Sequence, residues 1–147
     1  MDRASAIAGE PRAPKSLINE HRPQHYQAYY LQDLEDFQPF FTDLYAYCDA
    51  QGLPAKTLIS EYAPGQMEIV LRHRADVLKA CDEGIMLKRV IKATAEKHGM
   101  VATFMAKPFI DQSGSGFHVH HSLWKGGKNL FAKNGGLSPL AMHYLAG

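Results

Sequence analysis

The sequence lacks the features that mark disulfide-rich, polyanion-binding or membrane-spanning proteins. Its two cysteines, Cys48 and Cys81, form no Cys-x-x-Cys pair and no secretory framework, so we expect buried free thiols and a reducing, cytoplasmic environment. The 16 basic and 15 acidic residues give a formal net charge of +1 without long runs of one sign. This balance excludes a broad electrostatic surface for nucleic acid or membrane.

Long apolar runs are also absent. Residues 100–106, interrupted by Thr103, fall far short of the roughly 18 apolar residues that a membrane span needs. The first 20 residues carry Asp2 and Glu10 and have no apolar h-region, so no signal peptide is indicated. We expect a soluble protein with a loose tail over residues 1–20 and one domain over residues 21–147.

Three segments have the signals of helices. After Pro39, apolar residues recur every three to four positions until Gly52 ends the pattern. They are Phe41, Leu44, Tyr45 and Cys48. A longer helix is predicted from a cap at Asp76 to about His98, with an apolar stripe made of Leu78, Cys81, Ile85, Leu87, Val90, Ile91 and Ala95. Ser138 and Pro139 predict the start of a third helix.

Residues 58–71 have the pattern of a β-hairpin, with Pro64 and Gly65 suited to the centre of a tight turn. If these two residues form the whole loop, Glu61 lies directly opposite Glu68. Two carboxylates so placed repel each other unless a cation or a shared proton neutralises them, and a divalent metal ion would do so. A longer turn with another register, leaving the glutamates in solvent, is the alternative.

A glycine loop (residues 108–116) lies between two predicted strands, residues 101–107 and 117–122. Gly114 and Gly116 allow backbone conformations that turn N–H groups toward an anion. In the strand that follows, His118, His120 and Ser122 share one face by the period of two. Taken alone, such a loop is more often a flexible turn, and paired histidines often lie on a solvated face.

Together these elements predict an α+β fold. The hairpin and the strand over residues 117–122 are expected to belong to one curved sheet of antiparallel type, backed by helices.

The segment from Lys107 to Ser122 resembles the nucleotide-site signature of the glutamine synthetase family: Lys-Pro, a short spacer, Gly-Ser-Gly, one residue, His, three residues, Ser. The hairpin sequence Glu-x-x-Pro-Gly-Gln-x-Glu is similar to the motif whose two glutamates bind a catalytic divalent ion in that family. The resemblance runs from about Tyr30 to the end of the chain and covers about the middle third of such an enzyme.

The resemblance implies site residues for three ligands. For magnesium or manganese they are Glu61, Glu68 and His118; for ATP they are Lys107, His120, His121 and Ser122; for glutamate they are Ser113 and Gly114, the latter through its backbone. Oxygen ligands with an added imidazole suit manganese better than magnesium, and zinc less well.

The resemblance also implies an activity, namely ATP-dependent joining of glutamate to ammonia or a primary amine through a γ-glutamyl phosphate. The full-length protein would be a homo-oligomer, and this chain would be inactive alone. Ser113 stands where the family usually has asparagine, as in related ligases for larger amines, so a γ-glutamyl polyamine or ethanolamide synthetase is an alternative. A non-catalytic remnant that acts as a binding module, or a metal-dependent hydrolase, would account for fewer of these residues.

Overall fold

A computed structural model describes residues 1–24 and 26–147. In order, its elements are α1 (Arg3–Ile7), α2 (Leu31–Asp36), α3 (Gln38–Ala50), β1 (Ala55–Ser60), β2 (Met67–Leu71), α4 (Val77–Lys97), β3 (Trp124–Lys125), β4 (Lys128–Asn129), β5 (Ala132–Lys133), β6 (Gly136–Leu137) and α5 (Pro139–Ala146). The chain divides into two compact units, Met1–Ser115 and Gly116–Gly147. The mixture of helices and antiparallel strands agrees with the predicted α+β class.

The core of the first unit lies between α3 and α4. Its buried members are Phe37, Phe40, Phe41, Leu44, Cys48, Leu53, Leu87, Val90 and Ala95. Half-buried residues of β1 and β2, including Leu58 and Ile69, pack against this cluster. The hairpin is therefore held against the helices by burial of apolar surface, which is the main stabilising term in folding.

Polar contacts tie the same two helices together at their far end. Asp43 of α3 accepts hydrogen bonds from Lys97 at 2.8 Å and interacts with the ring of His98 at 2.8 Å. The bonds from Lys97 and then His98 hold the pKa of the Asp43 carboxyl below its ordinary value. The charged form of Asp43 is thus the one that joins α3 to α4.

The predicted helix boundaries are confirmed where a local cap sets them. The Asp76 side chain accepts a hydrogen bond from the Lys79 amide at 3.0 Å at the start of α4, and Ser138 accepts one from the Ala141 amide at 3.1 Å at the start of α5. Gly99, beyond the end of α4, has a φ of 69°, which glycine adopts without strain.

The apolar stripe predicted for α4 is only half correct. Leu87, Val90 and Ala95 are buried, whereas Leu78 and Ile85 are 78% and 65% exposed because the core formed with α3 lies along the second half of the helix. Cys81 is exposed too, so the prediction of two buried thiols holds for Cys48 alone; both cysteines are free. Burial raises the pKa of the Cys48 thiol.

In place of the predicted stripe, the first half of α4 buries one carboxylate, Glu83, which pairs with the exposed Arg74. The single N–H of Arg74 Nε is shared between the two carboxylate oxygens of Glu83, each at 3.0 Å, and the Nη2 atom of Arg74 lies 2.8 Å from Oε1. The hydrogen bonds with Glu83 raise the pKa of Arg74. A buried carboxylate is tolerated here because its charge is matched and hydrogen-bonded.

The predicted curved sheet is wrong in its extent. Within the described residues, the strands form three separate two-stranded antiparallel ladders, and residues 101–107 and 117–122 belong to none of them. Phe117, the first residue of the second segment, has a φ of 50°, a left-handed conformation outside the range of an extended strand. His118, His120 and Ser122 are therefore not placed on one strand face.

Residues 1–20, for which the sequence predicts a loose tail, include α1 and several contacts with the rest of the first unit. The Met1 amine donates to the Val101 carbonyl at 2.8 Å, and the Val101 amide donates to the Met1 carbonyl at 2.8 Å. Arg3 forms an ion pair with Glu96 of α4 at 2.9 Å. Within the described residues, none of the helices combines the length and the apolar character that crossing a bilayer requires.

Candidate active site

The two hairpin glutamates lie on one face in a register that differs from the prediction. Glu68 pairs with Ile59 rather than with Glu61, and the Glu61 amide donates to the Gln66 carbonyl at 2.9 Å. The turn therefore contains four residues, 62–65, instead of two. Because the shift is an even number of residues, alternation continued from β1 to Glu61 keeps Glu61 and Glu68 on the same face, now as diagonal neighbours.

Both carboxylates are partly exposed, and neither forms an ion pair with another described residue. Two like charges on one face without a protein cation suit a divalent ion that prefers oxygen ligands. The donor chemistry of Glu61 and Glu68 thus fits magnesium or manganese. Across residues 1–24 and 26–147, however, no three His, Cys, Asp or Glu side chains are grouped closely enough to hold a metal ion by themselves.

Gln66 joins the hairpin turn to the glycine loop, a role that the sequence analysis missed. Its Oε1 accepts a hydrogen bond from the Ala63 amide at 3.2 Å. Its Nε2 donates to the Gly114 carbonyl at 3.1 Å and lies 3.5 Å from the Ser115 hydroxyl. The position of Gln66 directly after Pro-Gly, between the two glutamates, is the sequence signal that could have identified it.

The glycine loop is also closed on its other side. The Ser115 amide donates to the Ala106 carbonyl at 2.7 Å, and a Cβ atom on Gly114 would lie 2.8 Å from that same oxygen. Gly114 is therefore required by the close approach of two backbone segments. Near this loop, the Lys107 side chain is exposed and Ser113 is half-buried.

A Gly114→Ala substitution tests this packing. The added methyl group would force the loop away from Ala106, so we expect a loss of about 1 kcal/mol in the free energy of unfolding, measured by urea denaturation. Gly84→Ala in α4 is the control, because a Cβ atom there meets nothing within 4 Å and alanine favours a helix. Equal stability losses in the two variants would contradict the close approach.

The second unit contains the histidines of the signature. A Cβ atom on Gly116 would lie 2.8 Å from Nε2 of His118, so the absence of a side chain at Gly116 makes room for this ring. Phe117, between them, takes the left-handed conformation and is exposed. His120 is exposed as well.

The other two signature residues of this unit have partners within it. Nδ1 of His121 lies 2.9 Å from the hydroxyl of Tyr144 on α5, and that tyrosine ring packs at 5.0 Å between centroids against Phe131. The Ser122 hydroxyl accepts a hydrogen bond from the indole N–H of Trp124 at 3.0 Å. These contacts orient His121 and Ser122, which in isolation would be free surface side chains.

Comparison with known proteins decides the family. Residues 2–147 match the family described as "Glutamine synthetase, catalytic domain". The chain belongs to the glutamine synthetase family. It is similar to gamma-glutamylputrescine synthetase PuuA of Escherichia coli, with 38% identity over 149 aligned positions that cover 100% of this chain and 32% of PuuA.

Other members of the glutamine synthetase family give the same result. A glutamine synthetase of Pyrococcus horikoshii is 37% identical over 116 residues, which cover 79% of this chain and 24% of that enzyme. The solved structure titled "GmaS/ADP complex-Conformation 1" superimposes with a TM-score of 0.75 at 34% identity, over 87% of this chain and 30% of GmaS. The chain thus spans about a third or less of these relatives, and its fold is part of the glutamine synthetase catalytic domain.

Proposed function

We propose that the chain supplies the metal-binding hairpin and the substrate loop of an ATP-dependent glutamate–amine ligase. The observation that carries the proposal is the hydrogen bond by which Gln66 holds the glycine loop at Gly114, beside the hairpin face that the register assigns to Glu61 and Glu68. Membership of the glutamine synthetase family and the similarity to an ADP complex support this use of the site.

In the proposed reaction, the γ-phosphate of ATP is transferred to the side-chain carboxylate of glutamate, giving ADP and γ-glutamyl phosphate. The amine then attacks the γ-carbonyl carbon, a C–N bond forms, the C–O bond to phosphate breaks, and the amine loses a proton. A bound divalent ion would supply charge neutralisation for the phosphates. Glu61 and Glu68 would hold that ion by their carboxylates, and His118 would hold a second one by its imidazole.

The remaining site residues would bind the two substrates. The exposed amine of Lys107 and the exposed ring of His120 are proposed to contact ATP, as are His121, oriented by Tyr144, and Ser122, oriented by Trp124. Ser113 and the backbone of Gly114 are proposed to receive glutamate. Backbone N–H and C=O groups suit glutamate binding because they are fixed dipoles, so no side chain loses conformational entropy when the ligand binds.

For the amine, we propose a primary amine larger than ammonia. Serine is smaller than the asparagine usual at position 113 and lacks its amide donor, which leaves more room near the substrate carboxylate. The similarity over the whole chain to an enzyme named for putrescine favours the same branch. Synthesis of glutamine from ammonia is the second candidate, favoured by the similarity to archaeal glutamine synthetases.

The amine preference is testable in the whole enzyme that contains this chain. We expect kcat/KM for putrescine or ethanolamine to exceed that for ammonia, and Ser113→Asn to shift the ratio toward ammonia by about two- to tenfold, the worth of one hydrogen bond. Ser113→Ala is the matched control, since it removes the hydroxyl without adding an amide. A preference for ammonia that the asparagine variant leaves unchanged would leave glutamine synthesis as the function.

Three further proposals concern the activity of the isolated chain, the assembly of the whole enzyme and its location. The 147-residue chain alone is proposed to be inactive, because the resemblance places further metal carboxylates and phosphate-binding arginines outside it. A homo-oligomeric whole enzyme is proposed on the same basis. A cytoplasmic location is proposed because Cys48 and Cys81 are free thiols.

A further inference from the structure

We infer that Gln66 is a positioning residue, whose side chain sets the place of the glutamate-binding loop relative to the metal-binding carboxylates. The inference rests on the proposed function for its catalytic consequence. Its structural part depends only on the contacts between the hairpin turn and the glycine loop.

Gln66 itself is held firmly by the turn. Its amide donates to the Ala63 carbonyl at 2.9 Å, its carbonyl accepts from the Glu61 amide at 2.9 Å, and its Oε1 accepts from the Ala63 amide. The register places Gln66 opposite Glu61, and alternation places it on the same face as Glu68. The backbone that positions one proposed metal ligand therefore also positions the Gln66 amide.

The other end of the Gln66 side chain fixes a single peptide of the loop. The carbonyl of the Gly114–Ser115 peptide accepts from Nε2 of Gln66, and the N–H of the same peptide donates to the Ala106 carbonyl. A planar peptide bonded at both ends cannot rotate without breaking one of the two bonds. Gly114, proposed to receive glutamate, is thereby held at a defined place beside the hairpin.

Two variants separate this role from general stability. Gln66→Leu removes the side-chain hydrogen bonds with Ala63, Gly114 and Ser115 with little change in size, and Gln66→Glu keeps the acceptor for the Ala63 amide but replaces the donor to Gly114. The matched control is Gln38→Leu, which removes a glutamine whose Nε2 donates to Thr42 at 2.9 Å on the exposed side of α3.

The first measurement is hydrogen–deuterium exchange of the 147-residue chain. We expect exchange of the Ser115 amide to become about three- to tenfold faster in both Gln66 variants, because its peptide loses one of two anchors, and to stay unchanged in Gln38→Leu. Unchanged exchange at Ser115 in the Gln66 variants would overturn the inference. This readout does not need ligase activity, so it stands even if the proposed function fails.

The second measurement is the kinetics of the whole enzyme. With Gln66→Leu, which adds no charge beside Glu61 and Glu68, we expect the KM for glutamate to rise about tenfold while kcat changes less than about twofold and the KM for ATP is unaffected. Faster Ser115 exchange with an unchanged KM for glutamate would overturn the positioning role. Wild-type enzyme without glutamate-dependent ATP cleavage would instead reject the proposed function.

Discussion

Replacement of Glu68 by glutamine is expected to raise the dissociation constant for Mn²⁺ by about tenfold or more. Glu61 and Glu68 lie on one face of the hairpin without a cationic partner among the described residues, so a bound metal ion gains the attraction of both charges. Removing one charge also relieves the repulsion between the two carboxylates, which makes the metal-free state more favourable. Both effects weaken binding in the same direction.

Isothermal titration calorimetry with MnCl₂ on the 147-residue chain measures this effect. Glu61→Gln should behave like Glu68→Gln, because the two carboxylates have equivalent roles on the hairpin face. Glu35→Gln is the matched control, since Glu35 is exposed on α2 and belongs to no proposed site. A dissociation constant that is the same in wild type, Glu61→Gln and Glu68→Gln would show that the metal does not bind at the hairpin.

The second large effect concerns the core that supports the hairpin. Leu44 of α3 is only 1% exposed and lies in the cluster between α3 and α4. Leu44→Ala removes buried apolar surface and leaves a cavity, so we expect a loss of about 2–5 kcal/mol in the free energy of unfolding. Urea denaturation followed by circular dichroism measures this loss.

Leu78→Ala is the control for the core substitution, because Leu78 lies on α4 but is 78% exposed. Leucine and alanine are both good helix formers, so this change should alter the free energy of unfolding by no more than about 0.5 kcal/mol. A loss at position 78 as large as that at position 44 would mean that the first turns of α4 are packed and that the core is assigned wrongly.

Helices were predictable from the sequence because their signals are local. The Asp76 cap bonds an amide three residues away, and Ser138 does the same at α5. The face that a helix buries depends instead on what packs against it. Leu78 and Ile85 fit the apolar period of α4 as well as Leu87 does, yet only the second half of α4 meets α3.

The hairpin register was predicted wrongly because a side chain helps to set the turn. Pro64 and Gly65 are compatible with a two-residue turn, but Gln66 closes a longer one through its own amide and Oε1 with Ala63. The placement of Glu61 and Glu68 on one face was predictable nonetheless, since a shift of the register by two residues preserves it.

The prediction of strands on either side of the glycine loop was wrong for a different reason. Alternation in residues 117–122 describes which side chains would share a face, but a strand also needs a partner with free backbone groups. None of the described ladders includes this segment. Likewise, the bond between His121 and Tyr144 joins residues 23 positions apart, and no local pattern predicts it.

The most direct test of the proposed ligase is product analysis of the whole enzyme supplied with ATP, glutamate and either putrescine or ammonia. The account predicts equal amounts of ADP, phosphate and the γ-glutamyl amide, all requiring a divalent metal ion, and a loss of all three products in the Glu61→Gln, Glu68→Gln double variant. ATP cleavage that does not depend on glutamate, or amide formation that the double variant retains, would contradict it.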